Sequence, residues 1–94
     1  MRVEWTRRAL EDLESHFDHA ASENPKAART IFTRILDAVE KLGQFPAIGR
    51  AGRVADTREL YVSATAYIAS YRVHRETVEI LRLMHSAQDW PDEF

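Results

Sequence analysis

The sequence contains no cysteine and no long apolar run, and each absence excludes a class of protein. Without thiols the chain can form neither a disulfide nor a thiolate metal site. No uninterrupted apolar stretch approaches the ~20 residues that a membrane span needs. Charged residues also interrupt the opening segment, MRVEWTRRALEDLE, too often for the core of a signal peptide. We therefore expect a cytoplasmic protein that makes no membrane contact.

A basic excess is missing as well. The chain has 13 Lys and Arg against 15 Asp and Glu, and its formal net charge is -2. A protein that binds RNA over a large surface neutralises several phosphates and usually carries an excess of basic residues. Only Lys26 and Lys41 are lysines, so the cations are mostly arginines, whose forked head suits carboxylates. This balance favours a protein partner over a nucleic-acid substrate.

Two amphipathic helices are predicted after a short first strand. The stretch RVEW alternates in polarity, as a strand does, and Thr6 is a suitable cap for the helix that follows it. That helix should fade near Ser22. Asn24 and Pro25 are typical of the start of a second helix, and Gly43 of its end, in a left-handed capping position. Helices joined by so short a link should form an antiparallel hairpin.

Three strands are predicted in the second half of the chain. The stretch QFPAIGRAGRVADT is predicted as loop, and RELYVS, AYIASYRV and TVEILRLMH as strands, with HRET as a tight hairpin turn between the last two. The element order is then β-α-α-β-β-β. It predicts an α+β fold in which a helical hairpin packs on one face of a small antiparallel sheet. A chain of 94 residues fits one domain, residues 1–94.

The last predicted strand is apolar on both faces. Strict alternation places Val78, Ile80 and Met84 on one face and Leu81 and Leu83 on the other. A sheet that is covered by helices on one side needs only one apolar face. The second face should therefore be covered either by the C-terminal tail or by a partner protein, and the sequence leaves both possibilities open.

This arrangement resembles the RelE/ParE superfamily of bacterial toxins from toxin–antitoxin pairs, over nearly the whole chain. The resemblance lies in the opening VEWTRRALEDLESH, the second helix NPKAARTIFTRILDAVEKL, the central FPAIGRAGRVADTRELYV, and the closing YIASYRV and VEILRLMHSAQDWP. Each motif alone is weak, but their order and spacing together are specific. The GR…TREL signature and the MHSAQDWP ending are closer to the ParE branch.

The resemblance implies a toxin of a type II toxin–antitoxin system. ParE-like members are not known as nucleases; they poison DNA gyrase by binding it and are neutralised by a cognate ParD-like antitoxin, which wraps the toxin and usually carries the DNA-binding domain. No cofactor is implied, and contact with DNA would be indirect, through the antitoxin. The alternative is a ribosome-dependent mRNA endonuclease of RelE type. A third possibility is a relative that only binds its antitoxin.

Candidate site residues differ between these functions. A metal-free nuclease needs an acid, a base and cations that converge on one phosphate. His85 and Arg82 are the alternative catalytic pair, but they are three residues apart on a strand and should point to opposite faces. We therefore expect no catalytic residue. No metal site is expected either, since no acidic or sulfur cluster completes the helical pair His16 and His19.

Partner contacts are predicted from residue types that are enriched at interface hot spots, together with the apolar last strand. The predicted antitoxin-binding residues are Arg58, Tyr61, Tyr71, Arg72, Arg82 and Met84. Trp90, a large aromatic residue in a short polar tail, is the predicted target-binding residue.

Overall fold

Two helices pack against a sheet of five strands, and the computed structural model describes residues 1–94. The elements are β1 (Arg2–Trp5), α1 (Arg7–Glu23), α2 (Pro25–Glu40), a 3-10 turn (Lys41–Gly43), β2 (Arg50–Ala51), β3 (Arg58–Tyr61), β4 (Tyr67–His74) and β5 (Thr77–His85). The α+β class and the helical hairpin are confirmed. Strand β2 is an addition within the stretch predicted as loop, because two residues are too few to produce an alternating pattern.

The sheet is mixed. Its strand order is β1-β5-β4-β3-β2. Strands β3, β4 and β5 pair antiparallel with one another, as predicted, and the additional β2 pairs antiparallel with β3. In contrast, residues 2–5 of β1 run parallel to residues 77–80 of β5. The description of the sheet as antiparallel is therefore corrected for β1. Alternating polarity shows that β1 is a strand, but its direction depends on a partner at the opposite end of the chain.

The helix starts follow the predicted capping residues. Thr6 accepts a hydrogen bond from the Ala9 N–H at 3.2 Å, and Asn24 accepts one from the Ala27 N–H at 3.1 Å. Side-chain oxygens at these positions satisfy N–H groups that have no partner within the helix. Neither helix is long and apolar enough to cross a membrane.

Gly43 does not have the predicted role of a left-handed cap. Helix α2 ends at Glu40 and continues as a 3-10 turn, and no glycine in the chain has a positive φ. Instead, a Cβ at Gly43 would lie 2.7 Å from the carbonyl oxygen of Met1. The N-terminal ammonium donates to the Gly43 carbonyl oxygen at 2.8 Å, so the glycine is needed because the start of the chain passes close to it.

A single apolar core lies between the hairpin and the sheet. Both helices, the 3-10 turn, strands β4 and β5 and the residue after β3 contribute to it, through residues Ala9, Phe32, Ile35, Val39, Leu42, Val62, Ala69, Tyr71, Val78, Ile80 and Leu83. Every one of these side chains is buried. The side of the sheet that they occupy is called the helix face below, and the opposite side is called the second face.

A bulge in β5 changes which of its side chains share a face. Ile80 and Arg82 pair with consecutive residues of β4, so Leu81 is an extra residue without a partner there. As a result Ile80 lies on the helix face with Leu83, while Met84 lies on the second face with Arg82. The prediction that grouped Ile80 with Met84, and Leu81 with Leu83, is wrong because strict alternation does not continue through a bulge.

Helix α1 covers the part of β5 that β1 leaves unpaired. Strand β1 ends opposite Ile80, where the Thr6 hydroxyl donates to the Ile80 carbonyl oxygen at 2.8 Å. Beyond it, the Leu83 N–H donates to the Asp12 carboxylate at 3.0 Å, and His16 Nε2 bonds to the Leu83 carbonyl oxygen at 3.1 Å. Asp12 and His16 are one helical turn apart on the same face. They prevent this edge from pairing with another strand.

The β4–β5 hairpin turns at Arg75 and Glu76, which have φ of 50° and 61°. Both lie in the left-handed region, as a two-residue turn of type I′ requires. The predicted turn at HRET is confirmed, although neither central residue is the glycine or asparagine that this geometry favours.

Candidate functional site

The second face of the sheet is covered by the chain itself. The loop of residues 52–57 and the tail of residues 86–94 lie over it, and the Trp90 ring stacks under the Arg53 guanidinium at 3.7 Å. Ile68 and Met84 are buried beneath them. The sequence left open whether the tail or a partner covers this face, and in the free chain the tail does so.

Four arginines lie along the second face and are paired with carboxylates. The buried Glu59 accepts hydrogen bonds from the Arg53 backbone N–H at 2.8 Å and from its Nε at 3.1 Å. Burial alone raises the pKa of the Glu59 carboxyl, but the bonds from Arg53 outweigh burial, so this pKa lies below its usual value. Arg50 lies over the Tyr61 ring at 4.0 Å and also donates to its hydroxyl.

The other two arginines lie closer to β5. Arg72 donates to Glu79 at 2.7 Å and remains half-exposed. Arg82 binds Asp12 through two nitrogens, at 2.7 and 3.2 Å, and only 12% of its side chain is exposed. A paired guanidinium still has unused N–H donors, so Arg72 can bind a further carboxylate more easily than Arg82 can.

A cavity of about 750 Å³ lies between Arg72 and Arg82 and the end of the tail. Its walls carry Arg8, Arg72 and Arg82 on one side and the tail carboxylates of Asp92 and Glu93 on the other. The chain's own carboxylates in this wall would repel phosphates, so the cavity does not favour a nucleic acid.

The predicted antitoxin-binding residues are not on one surface. Tyr61, Arg72, Arg82 and Met84 lie on the second face, whereas Arg58 and Tyr71 lie on the helix face. Met84 and Tyr71 are fully buried, so in this conformation their side chains are part of the core and offer no contact area. Of the six residues, Arg58 is exposed on the helix face, Tyr61 and Arg72 are exposed on the second face, and Arg82 is mostly buried there.

His85 lies on the helix face, away from the arginines. It pairs with Tyr67, and the two rings meet edge to face at 5.3 Å. His85 Nδ1 accepts a hydrogen bond from the Ala87 N–H at 3.1 Å, which fixes the ring at the start of the tail. Arg72 and Arg82 are on the opposite side of the sheet. The structure therefore does not bring the alternative catalytic pair, His85 and Arg82, together on one surface.

His16 is the histidine with a perturbed environment. Burial lowers the pKa of His16 below 6.5, and its bond to the Leu83 carbonyl oxygen partly counters this. No group of three His, Cys, Asp or Glu side chains in the structure could hold a metal ion.

An apolar groove between the helices was not predicted from the sequence. It has a volume of about 530 Å³ and is lined mainly by Leu10, Leu13, Phe17, Phe32 and Leu36. Leu10 and Leu36 are 49% and 45% exposed, which is unusual for large apolar side chains. The sequence feature that could have predicted this groove is an excess of apolar residues: both helices carry more of them than one core-facing stripe requires.

The fold places the chain among toxins of toxin–antitoxin systems. It matches a chain of the solved structure described as the chromosomal ParDE TA system from P. aeruginosa, with a TM-score of 0.83 and 30% identity. The match covers 90% of this chain and 95% of that one.

Sequence comparisons identify the family. The family model of the ParE toxin of the type II toxin–antitoxin system parDE matches residues 3–90. The chain is 43% identical to Y4kP of Sinorhizobium fredii over 90 residues, which are 96% of this chain and 93% of that protein. It is also 36% identical to Toxin RelE3 of Caulobacter vibrioides over 88 residues, 92% of this chain and 95% of that one. The chain therefore belongs to the ParE family of type II toxins.

Proposed function

We propose that this toxin acts in the cytoplasm by binding DNA gyrase, without being an enzyme, and that a ParD-like antitoxin neutralises it. The observation that carries the non-enzymatic part is the separation of His85 from the arginines by the thickness of the sheet. General acid–base cleavage of RNA requires these groups within hydrogen-bond reach of one phosphate. The acidic net charge also favours a protein target.

The gyrase proposal rests on membership of the ParE family and not on a recognisable gyrase-binding motif. Trp90 remains a predicted target contact. Because its ring is half-buried against Arg53, it would reach a target only if the tail left the second face.

The antitoxin proposal is supported by the groove between the helices and by the arginines of the second face. Leu10 and Leu36 offer apolar contact area that water otherwise covers, as an amphipathic helix of a partner would require. The exposed Arg72 could bind an acidic residue of the same partner. Any contact with operator DNA would then occur through the antitoxin.

The test of the gyrase proposal uses purified toxin, purified DNA gyrase, relaxed and supercoiled plasmid, and ATP. We expect loss of supercoiling and accumulation of cleaved DNA that is covalently bound to gyrase. A His85→Gln variant is the matched control and should inhibit as the wild type does. The proposal fails if gyrase is unaffected while programmed ribosomes yield mRNA cut by the wild type and not by the His85→Gln variant.

The test of the antitoxin groove uses Leu36→Ser, which removes an exposed apolar side chain at the groove. We expect it to weaken the complex with a ParD-like antitoxin about tenfold, as the loss of one apolar anchor typically does. The neighbouring exposed substitution Asp37→Asn is the control and should leave the affinity unchanged. Equal affinities for the wild type and Leu36→Ser would show that the antitoxin binds elsewhere.

A further inference from the structure

The most exposed large apolar side chains of the chain lie in neither the groove nor the tail. They are Phe45, 57% exposed, and Ile48, 61% exposed, in the loop between α2 and β2. The Ile48 N–H donates to the Phe45 carbonyl oxygen at 3.2 Å, so one tight turn carries both side chains. Neither residue lines the groove between the helices. Two large apolar side chains kept in water by a folded loop indicate a binding surface.

The loop that carries them is held firmly by the core. The buried Tyr71 hydroxyl donates to the Pro46 carbonyl oxygen at 2.8 Å and accepts from the Gly49 N–H at 2.9 Å. Arg58 adds a bond of 2.8 Å to the Gly49 carbonyl oxygen. A Cβ at Gly49 would lie 2.5 Å from the Tyr71 hydroxyl, so this approach is as close as a glycine permits.

This rigidity distinguishes the loop from a mobile connection. An anchor that is already fixed in its bound position loses little conformational freedom on binding, and preorganisation of this kind increases affinity. Tyr71 and Arg58, which resemble interface residues in the sequence, act here by positioning Phe45 and Ile48.

The charge around the loop indicates the chemistry of its partner. Residues 41–55 include Lys41, Arg50 and Arg53 and no acidic residue, with Glu40 and Asp56 at the two sides of this segment and Glu59 paired with both arginines. Lys41 and Arg50 are exposed at the two ends of the loop. A complementary surface therefore has an apolar pocket for two side chains and carboxylates at its rim.

We propose that Phe45 and Ile48 are the anchors through which this toxin binds its protein target, and that they enter an apolar pocket rimmed with acidic residues. This proposal rests on the proposed function, in which the toxin inhibits a protein target by binding it. It adds a surface that is separate from both the antitoxin groove and Trp90.

The experiment compares two variants of the full chain in growth arrest and in binding to purified gyrase. Phe45→Ser with Ile48→Ser removes the loop anchors, and the control Val73→Ser removes an exposed apolar side chain of β4 that lies in neither the loop nor the groove. We expect the loop variant to retain the wild-type melting temperature within a few degrees, to arrest growth no longer, and to bind at least about tenfold more weakly. The Val73→Ser control should arrest growth as the wild type does.

Two results would overturn the proposal. They are normal growth arrest by the loop variant, and equal loss of growth arrest in the loop variant and the Val73→Ser control. A wild type that arrests growth without binding gyrase refutes the gyrase proposal alone, since growth arrest still tests the loop. A wild type that does not arrest growth refutes both proposals.

The acidic rim has its own test. Ile48→Glu and Ile48→Lys remove the same apolar side chain and differ in charge. If the pocket is rimmed with carboxylates, Ile48→Glu should bind the target about tenfold more weakly than Ile48→Lys at low salt, with the difference shrinking at high salt. Equal affinities, or the opposite order, would refute the acidic rim.

Discussion

Asp12→Ala should be among the most destabilising single substitutions in this chain. The Asp12 carboxylate accepts two hydrogen bonds from Arg82 and one from the Leu83 N–H, and it is buried. Removing it leaves a largely buried guanidinium without this partner and a strand N–H without an acceptor. Removing one partner of a buried ion pair costs roughly 3–5 kcal/mol. An orphaned N–H costs about 1–3 kcal/mol more when it stays dry.

The net loss should be smaller than that sum, because Arg82 is 12% exposed and can turn partly toward water. We expect a loss of about 3–4 kcal/mol from a total that is roughly 5–15 kcal/mol for a domain of this kind. The melting temperature should fall by about 12–30 °C. Urea unfolding followed by circular dichroism measures the change in the free energy of unfolding.

Two further variants make this reasoning refutable. Asp18→Ala removes an exposed carboxylate from the same helix and should change stability by less than about 0.5 kcal/mol. In a double-mutant cycle, Asp12→Ala combined with Arg82→Met should lose less than the two single changes added together, since no charge is then left unpaired. A loss below about 1 kcal/mol for Asp12→Ala, or strict additivity in the cycle, would show that the pair contributes little.

Other predictions follow from single contacts. The pKa of His16 is lowered in the folded chain, so the unfolded chain binds this proton more readily. The free energy of unfolding should therefore fall as pH drops below about 6.5, by at most about 1.4 kcal/mol per pH unit. Urea titrations at several pH values should show a smaller fall for His16→Gln. The buried Ser70 hydroxyl has no hydrogen-bond partner, so Ser70→Ala should leave the melting temperature unchanged or raise it; a clear fall would reveal a missed partner. Replacing Arg75 and Glu76 with Asn-Gly should raise stability by about 1 kcal/mol, because both positions have positive φ, whereas Ala-Ala should not. Tyr71→Phe should lower stability by about 1–3 kcal/mol and speed hydrogen exchange at the Gly49 amide.

Local features of the fold were predictable because their causes lie within a few residues. Thr6 and Asn24 cap the helices that follow them, and the turn at Arg75 lies between two alternating stretches. The parallel pairing of β1 was not predictable in this way, since its partner is at the other end of the chain. The bulge at Leu81 was not predictable either, because one extra residue does not visibly change the polarity pattern of an apolar stretch.

The candidate site was less predictable than the fold. Residue type predicted Tyr71 and Arg58 as partner contacts. In the structure the buried Tyr71 and the exposed Arg58 both donate hydrogen bonds to backbone carbonyl oxygens of the loop that carries Phe45 and Ile48. The anchors Phe45 and Ile48 belong to a stretch that was read only as loop, where apolar residues follow no periodic pattern. Phe45 and Ile48 are exposed because later residues of the chain, Arg58 and Tyr71, hold the loop in place. A local sequence pattern does not reveal such contacts.

The position of β5 determines when this protein can fold during its synthesis. Strand β5 lies between β1 and β4, and its edge also binds Asp12 and His16 of α1. Residues 2–16 therefore lack their sheet partners until residues 77–85 have left the ribosome. A growing or prematurely ended chain lacks the strand that joins its two halves and cannot assemble the toxin.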